Sequence, residues 1–575
     1  MSGVSAKPER PEDKVAQDGP LRVALSRPLR PYLLAMLGFS LVSNLLLLVS
    51  PLYMLQVYDR VMTAGSYDTL IWLTLIAVFL LSIYGAAEAG RRRVAALAGT
   101  LFEQHVVPRV FARFESHTTT GTTLAHDLAQ VGRVQAWFQN GGVIPFFDLP
   151  FAPFFVGVLF LVHPLLGLLG VGGAVLVFIV ALMAEMSTRQ TGQLSSSALS
   201  QAQTLAMGLE RQRSAMVAMG LVPGAFVNWR SVKQAGQGLA LDAAKEDGKF
   251  TAISRSSRQI LQILILGGGA ALALSQQISP GAIVASSIIL ARALGPVDQI
   301  VGSWRSTIQT WRAWKDLRAN LDTVLPVTGY TPLPRPSSRI EIDRMGVGVP
   351  GSEAPLLRPF SHTFEGGQII ALTGGNGAGK TTLLQTLSGA WPVAEGQVRL
   401  GGRALHDWAS ADRGRYIGYV PQEIELLPGT VASNIARMRQ RDMDDVFNAA
   451  HLAGAHETIL SLPEGYDTRI GPDGVHLSAG QRQLIALARA VYGHPVFLLL
   501  DEPTANLDSA AAQTVLQALT RLADAGTIIM ASSHDRRLIE KSRQVLLVRN
   551  GSVMLAEAEQ YLKLALGPGA AGSGA

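Results

Sequence analysis

The residues best suited to chemistry lie between positions 374 and 534. Gly374-Gly375-Asn376-Gly377-Ala378-Gly379-Lys380-Thr381 fits the phosphate-loop pattern G-x-x-x-x-G-K-[ST]. Its glycines let backbone N–H groups turn inward on phosphate oxygens. The helix that follows, through Thr382, adds the positive end of its dipole. In such a loop the lysine, here Lys380, reaches the β- and γ-phosphates of ATP, and the hydroxyl of Thr381 ligates Mg²⁺. A second centre is the acidic pair Asp501-Glu502. Asp501 is suited to the Mg²⁺ shell, and Glu502 to orienting or deprotonating an attacking water. Together they spell transfer of a phosphoryl group from nucleotide to water.

Loop and acids need a sheet to hold them. Ile369-Ile370-Ala371-Leu372-Thr373 reads as a buried strand running into the phosphate loop, and Val496 to Leu500 as a second strand ending in the acids. From about Arg339 onward, short apolar runs alternate with helical stretches, the pattern of an α/β domain. Pro326, Pro332, Pro334 and Pro336 mark a linker before it.

Upstream the composition is different. The 575-residue chain is 48% hydrophobic and only 16% charged, with a mean hydropathy of +0.25. A soluble domain carries about 25% charged residues, so the deficit points to membrane. The net charge of +6 suits a cytoplasmic membrane surface; no basic, aromatic-interleaved stretch favours nucleic acid. With no cysteine, disulfides, thiolate metal sites and Cys nucleophiles are excluded.

A span needs about 20 apolar residues. Candidates fall at 33–55, 69–87, 142–162, 164–184, 259–276 and 280–298. The sixth is the poorest, carrying Arg292 and Asp298. The basic loops (Arg22, Arg27 and Arg30; Arg91 to Arg93; Arg211 to Lys249) fall on one side, which the positive-inside rule makes the cytoplasm, with both termini there. The two long cytoplasmic connections read as continuations of the spans, reversing near His117–Leu124 and Gly220–Trp229. Reversals of that kind suit docking on a cytoplasmic domain. Asp148, among Pro145, Pro150 and Pro153, is either a substrate-path acid or part of a broken helix. Glu88 and Glu185, at span ends, read as solvated. The first 31 residues read as a cytoplasmic tail, and no cleavable signal peptide is evident.

From about Arg339 to Ala558 the chain resembles the nucleotide-binding cassette of ABC transporters. Leu477-Ser478-Ala479-Gly480-Gln481 looks like the ABC signature, Val420-Pro421-Gln422 like the glutamine loop, Ala505-Asn506-Leu507-Asp508 like the loop that crosses the dimer, and His534 like the switch histidine. The resemblance implies that Gln422 contacts Mg²⁺ and the attacking water, that His534 contacts the γ-phosphate, and that Ser478, Gly480, Gln481 and Asp508 complete a nucleotide site on a partner cassette. One phosphate loop and one signature per chain then require two chains, most simply a homodimer. Two departures stand out. Ala479 replaces the usual glycine, and Val349 stands where the family offers an adenine-stacking aromatic.

Leu462 to Gly471 resembles exporters rather than importers. In the membrane half, Pro51 to Val61, Asp148 to Phe154 and Phe160 to Pro164 resemble the permease-ATPases of bacterial type I secretion, most of all the protease and lipase exporters. The resemblance implies an inner-membrane exporter of unfolded protein with a C-terminal signal, working with a periplasmic adaptor and an outer-membrane channel. The short N-terminal tail leaves no room for a peptidase domain. A lipid, peptide or drug exporter is the alternative. The expected organisation is a tail (1–31), an α-helical six-span membrane domain (32–323), a linker (324–338), an α/β phosphate-loop ATPase domain (339–565) and a flexible end (566–575).

Overall fold

The computed structural model describes residues 21–115, 123–322, 333–348, 355–439, 442–471, 474–505 and 507–566. The chain forms two compact units, a helical one of Met1–Arg113 and Thr120–Pro326 and an α/β one of Val327–Ala575 with which Phe114–Thr119 is grouped.

Among the described residues six helices of the first unit are long and apolar enough to cross a membrane: Leu25–Ala64, Tyr67–Glu115, Ile144–Val162, Pro164–Thr188, Val222–Leu274 and Pro280–Leu321. The second, fifth and sixth have 49, 53 and 42 residues. At 1.5 Å per residue they reach about 60–80 Å, twice or more the ~30 Å of hydrocarbon, so each runs well past a bilayer. The fourth helix likewise continues to Arg211. The chain reverses at Met219–Leu221, where Gly220 takes φ +64° and Pro223 opens the fifth helix. The earlier reversal, expected near His117–Leu124, falls largely outside the described residues.

The sixth span can carry polar and charged residues for a physical reason. It is the innermost helix, with 56% of its apolar window buried against 6% for the second, so it meets protein more than lipid. Leu290 and Leu294 pack with Phe155, Leu159, Leu166, Ile265 and other apolar residues of the third, fourth and fifth spans. Buried Ser286 donates back to the Ala282 carbonyl at 2.7 Å. Asp298, which weakened the span in the sequence, is taken up by the fifth: it accepts from Ser254 Oγ at 3.0 Å and Arg258 Nη1 at 2.9 Å.

Asp148 resolves in the same way. A short helix, Ile144–Asp148, a 3₁₀ turn at Leu149–Phe151 and a second helix from Ala152 form a broken third span. Asp148 lies buried at the break. It accepts from Arg91 Nη1 at 2.6 Å and Asn44 Nδ2 at 2.8 Å, which joins the first three spans. Glu88 is not simply solvated: it pairs with Arg91 and, at 3.0 Å, with Arg92. The side chain of Glu185 lies outside the described residues. The Pro51–Val61 segment ends in a π-helical turn, Val57–Val61. There Asp59 accepts from Ser279 Oγ and, at 2.8 Å, from the Gly281 N–H, capping the sixth span.

The described residues of the second unit form three sheets. The first is antiparallel: β2 (Pro355–Glu365), β1 (Arg339–Gly348), β4 (Val393–Leu400) and β5 (Arg403–Ala404). The second has the order β12 (Ser552–Glu557), β11 (Gln544–Arg549), β3 (Gln368–Gly374), β10 (Ile528–Ser532), β9 (Phe497–Asp501), β6 (Ile417–Val420). All its neighbours are parallel except β11 and β12. A small pair, β7 (Gly429–Thr430) and β8 (Arg469–Ile470), stands apart. β3, β9 and β10 are almost wholly apolar and buried on both faces, as central parallel strands must be. Their carboxyl ends share one edge of the sheet, the usual ligand crevice of such folds.

Candidate active site

That edge assembles the nucleotide-handling residues. β3 runs into the phosphate loop, and the loop into the helix Lys380–Ser388. Two glycines are irreplaceable on backbone grounds. Gly374 has φ +155°, and a Cβ there would lie 2.3 Å from the Val548 carbonyl oxygen; Gly379, at φ +101°, is the left-handed N-cap of the helix. Asn376 and Gly377 form the exposed turn between them. Lys380, largely buried, folds back so that Nζ donates to the carbonyls of Gly374 at 2.8 Å and Gly375 at 3.2 Å. These bonds hold the ammonium at the loop's centre, where phosphate oxygens would replace them. His534 Nε2 lies 3.5 Å from Lys380 Nζ. Thr381 and Thr382 occupy the first turn of the helix, and the Thr381 hydroxyl has no protein partner among the described residues.

Register builds the acidic half. In the ladder β10–β9, Ser532 stands opposite Asp501. Ser532 Oγ donates to Asp501 Oδ1 and accepts from the Glu502 N–H at 2.9 Å; the Ser532 carbonyl accepts from the same N–H at 3.1 Å. Glu502 takes φ +49°, a strained conformation for a non-glycine residue, costing about 1–3 kcal/mol. Its Oε2 accepts from Gln422 Nε2 at 3.3 Å, so the glutamine from the loop after β6 reaches the acid after β9. Asp501 Oδ2 is buried with no partner. An orphaned carboxylate oxygen is expensive unless a cation or its waters meet it. Asp501, Thr381 and Gln422 thus offer three oxygens, a donor set of the hard kind Mg²⁺ takes.

Ser532 had no place in the sequence reading. Its only signal is a hydroxyl ending an otherwise apolar strand two residues before His534. Tyr419 was missed too: burial, then the Asp501 carboxylate, push its phenol up, and contact with Gln385 offsets part of the rise.

The remaining expected residues do not join this group. Ser478 and Gln481 form a capping box on the helix Ala479–Val491: Ser478 Oγ accepts from the Gln481 N–H at 3.2 Å, and Gln481 Oε1 from the Ser478 N–H at 2.8 Å. Gly480 and Ala479 lie in its first turn. Asp508 caps the helix Ser509–Asp524, accepting from the Ala511 N–H at 2.7 Å. Among the described residues no hydrogen bond links Ser478, Gly480, Gln481 or Asp508 to the phosphate loop of the same chain. Val349 and Asn506 lie outside the described residues, so the adenine contact is not defined.

Comparison with known proteins gives this arrangement a family. Residues 357–505 match the model of the ABC transporter family. The type I secretion system ATP-binding protein PrsD of Rhizobium meliloti is 31% identical over 530 residues, 91% of each chain. The cyclolysin secretion/processing ATP-binding protein CyaB of Bordetella pertussis is 27% identical over 558 residues, 93% of this chain and 77% of that one. A putative multidrug export ATP-binding/permease protein of Staphylococcus aureus is 32% identical over 297 residues, 51% of each chain. The fold is similar to the structure of a bacterial Atm1-family ABC exporter with ATP bound, at a TM-score of 0.77 and 20% identity, covering 95% of this chain and 99% of that one. Six membrane-crossing helices, a phosphate-loop cassette on the same polypeptide and an alignment running through both halves make the chain an ATP-driven ABC exporter of the family that holds the type I secretion ATP-binding proteins.

Proposed function

We propose that this exporter moves an unfolded protein with a C-terminal signal across the bacterial inner membrane, as the permease-ATPase of a type I secretion system. The observation that carries the reading is the reach of the likeness. The type I secretion relative matches 91% of both chains, membrane half included, whereas the multidrug relative matches 51%. The cassette alone would fit any exporter cargo; the membrane half is where cargo is chosen.

In this reading two copies of the chain work together. The accessible N-terminus of the signature helix of one cassette, with Ser478, Gly480 and Gln481, closes over the phosphate loop of the other, and Asp508 lies at the crossing. A helix N-terminus suits that task, since its free N–H groups favour the γ-phosphate's charge. Lys380 holds the β- and γ-phosphates. Thr381, Asp501 and Gln422 hold Mg²⁺, which when bound neutralises charge on the phosphate oxygens. Glu502, aligned by Gln422 and by its strained backbone, takes a proton from the attacking water. His534 steadies the γ-phosphate. Closing and reopening of the cassettes, passed through the long helices and their cytoplasmic reversals, alternates the access of the spans. Both termini are cytoplasmic, and a periplasmic adaptor with an outer-membrane channel completes the path.

The test has two parts. Glu502→Gln should keep ATP binding while cutting hydrolysis by about 10²–10⁴-fold and stopping transport; retained transport would point to a nucleotide switch instead. ATPase turnover of the wild type in vesicles should rise with an unfolded polypeptide carrying a secretion signal. A response confined to lipids or hydrophobic drugs would replace protein export with the alternative cargo.

A further inference from the structure

Charged side chains buried in the helical unit are spent on one another, Arg91 on Glu88 and Asp148 and Arg113 on Asp127, and the less enclosed Arg258 is spent on Asp298. Exposed Arg305 and half-buried Arg312 are not spent in this way. They lie two turns apart on the sixth helix, hence on one face. Among the described residues neither forms an ion pair, and Arg305 makes no side-chain hydrogen bond. The single partner of Arg312 is a neutral amide: with its oxygen turned inward, Gln193 accepts from Nη1 at 3.2 Å and Nη2 at 2.8 Å. Both guanidiniums line a cavity of about 50 Å³ between the fourth, fifth and sixth helices. Thr188, Gly192 and Ser196 recur every fourth residue on the facing wall, and their small side chains leave the space. Asp247, also without an ion pair, is the one carboxylate in the lining, so the cavity carries two positive charges and one negative.

The position is informative. The apolar run of the fourth helix ends at about residue 184, and the helix continues to Arg211. The cavity therefore sits where the spans leave the hydrocarbon, on the side of the basic loops. An unfolded cargo arriving from the cytoplasm meets the helices there first. The volume discriminates between cargoes: drug-sized ligands need about 300–1,000 Å³, whereas about 50 Å³ admits one small group. A guanidinium fork fits a planar carboxylate best, and the flanking Trp304 and Ile308 offer an apolar surface beside it.

We propose that this cavity is a cargo-entry subsite that holds a carboxylate of the unfolded polypeptide, an acidic side chain or the free chain end, between Arg305 and Arg312. The proposal rests on the protein-export reading and names the feature of the cargo that the membrane half recognises. Asp247 sets the limit: it accepts one negative charge beside the two arginines and repels a second.

The test uses the full-length protein in phosphatidylcholine nanodiscs and two fluorescent unfolded peptides of one apolar-acidic sequence. One has Asp and Glu with a free C-terminus; the other has Asn and Gln with an amidated end. Binding is read by anisotropy, and stimulation as the ratio to each variant's own basal ATP turnover. The wild type should bind the acidic peptide about tenfold or more tightly than the amide form, as expected for a charge-assisted contact. Arg305→Gln with Arg312→Gln should remove that preference, the two lysine substitutions should restore part of it, and Asp247→Asn should increase it. Equal binding of the two peptides by the wild type, or an unchanged preference in the glutamine variant, overturns the subsite and leaves protein export standing. Binding of neither peptide, with a response only to anionic lipid or drugs, overturns both.

Discussion

Removing Arg91 should destabilise the helical unit more than removing Asp148, and removing both should cost less than the sum. The order follows from charge counting at one buried cluster. Arg91 is 6% exposed and donates to Ser40 Oγ at 3.1 Å, to Asp148 at 2.6 Å and to Glu88. In Arg91→Met the buried Asp148 is left without a cation and Glu88 keeps only Arg92, and stranding one member of a buried pair costs about 3–5 kcal/mol. In Asp148→Leu the arginine keeps Glu88 and charge balance survives. The loss is then of hydrogen bonds from Arg91 and Asn44, about 1.5–3 kcal/mol. In the double variant neither group is stranded, and Glu88, about a fifth exposed, can turn to Arg92 and solvent. A coupling of about 1–3 kcal/mol should appear in the cycle. The assay is thermal unfolding of the purified full-length protein in one detergent, followed through tryptophan fluorescence. At roughly 2–4 °C per kcal/mol, Arg91→Met should lower the midpoint by on the order of 10 °C, Asp148→Leu by about half that, and the pair by less than their total. Equal shifts for the two single variants, or strict additivity, would refute the view that Asp148 is held as one member of an ion network. A normal midpoint with abolished transport in Asp148→Leu would return the residue to the substrate path.

Ser532→Ala should leave ATP binding in place while lowering hydrolysis on the order of tenfold, because Asp501 loses a donor and Glu502 an acceptor; unchanged turnover across a Mg²⁺ titration would deny it the positioning role. Arg437 donates to the carbonyls of Gly414, Arg489 and Ala490, with burial and then the charges of Arg439 and Arg489 lowering its guanidinium to about 10. Arg437→Ala should cost about 2–4 kcal/mol, seen as a lower midpoint for the cassette with the spans unaffected. Burial raises the Tyr466 phenol from 10.0 to about 12, so the folded state prefers the protonated form, and the stability it contributes is intact below pH 10 and lost as pH rises from 10 toward 12. Tyr466→Phe should flatten that alkaline limb of the unfolding curve; an equally steep decline would assign it to other groups.

What could be read from the chain was whatever chemistry makes local. The phosphate loop needs its glycines, lysine and threonine in one run, and the flanking strand and helix are dictated by the same few residues. Asp501 and Glu502 were legible because an apolar strand can end in paired acids for few other reasons. Ser532 was not, since its importance arises from ladder register: only the pairing of β10 with β9 sets it against Asp501. Arg437 was hidden for the same kind of reason, its three acceptors lying 23 to 53 residues away. The spans show the opposite failure. Hydropathy counts every charge as if it faced lipid, so the sixth span looked poorest for Arg292 and Asp298, although Asp298 is met by Ser254 and Arg258 of the fifth. Glu88 read as solvated because it stands at a span end, where proximity to Arg91 and Asp148 cannot be foreseen.

The distribution of charge through the helical unit carries one more step. Asp59 is spent on Ser279 and Gly281, Asp148 on Arg91 and Asn44, Asp298 on Ser254 and Arg258. Each ties spans distant in sequence, and each is an acid whose charge is met by donors from another helix. Such bonds fix register between helices that apolar packing alone would let slide, because lipid tails compete equally well for Leu and Ile. A transporter nevertheless has to let some of its helices move. The ties hold the first span to the second, third and sixth, and the fifth to the sixth, while the fourth is joined to the fifth by packing and by one buried hydroxyl, Ser195, which donates to the Gly236 carbonyl at 3.1 Å. The fourth helix also forms the small-residue wall of the cavity that Arg305 and Arg312 line. Its tie to the sixth is the Gln193 amide on Arg312, so among the described residues the fourth helix is held by neutral partners and packing rather than by an ion pair.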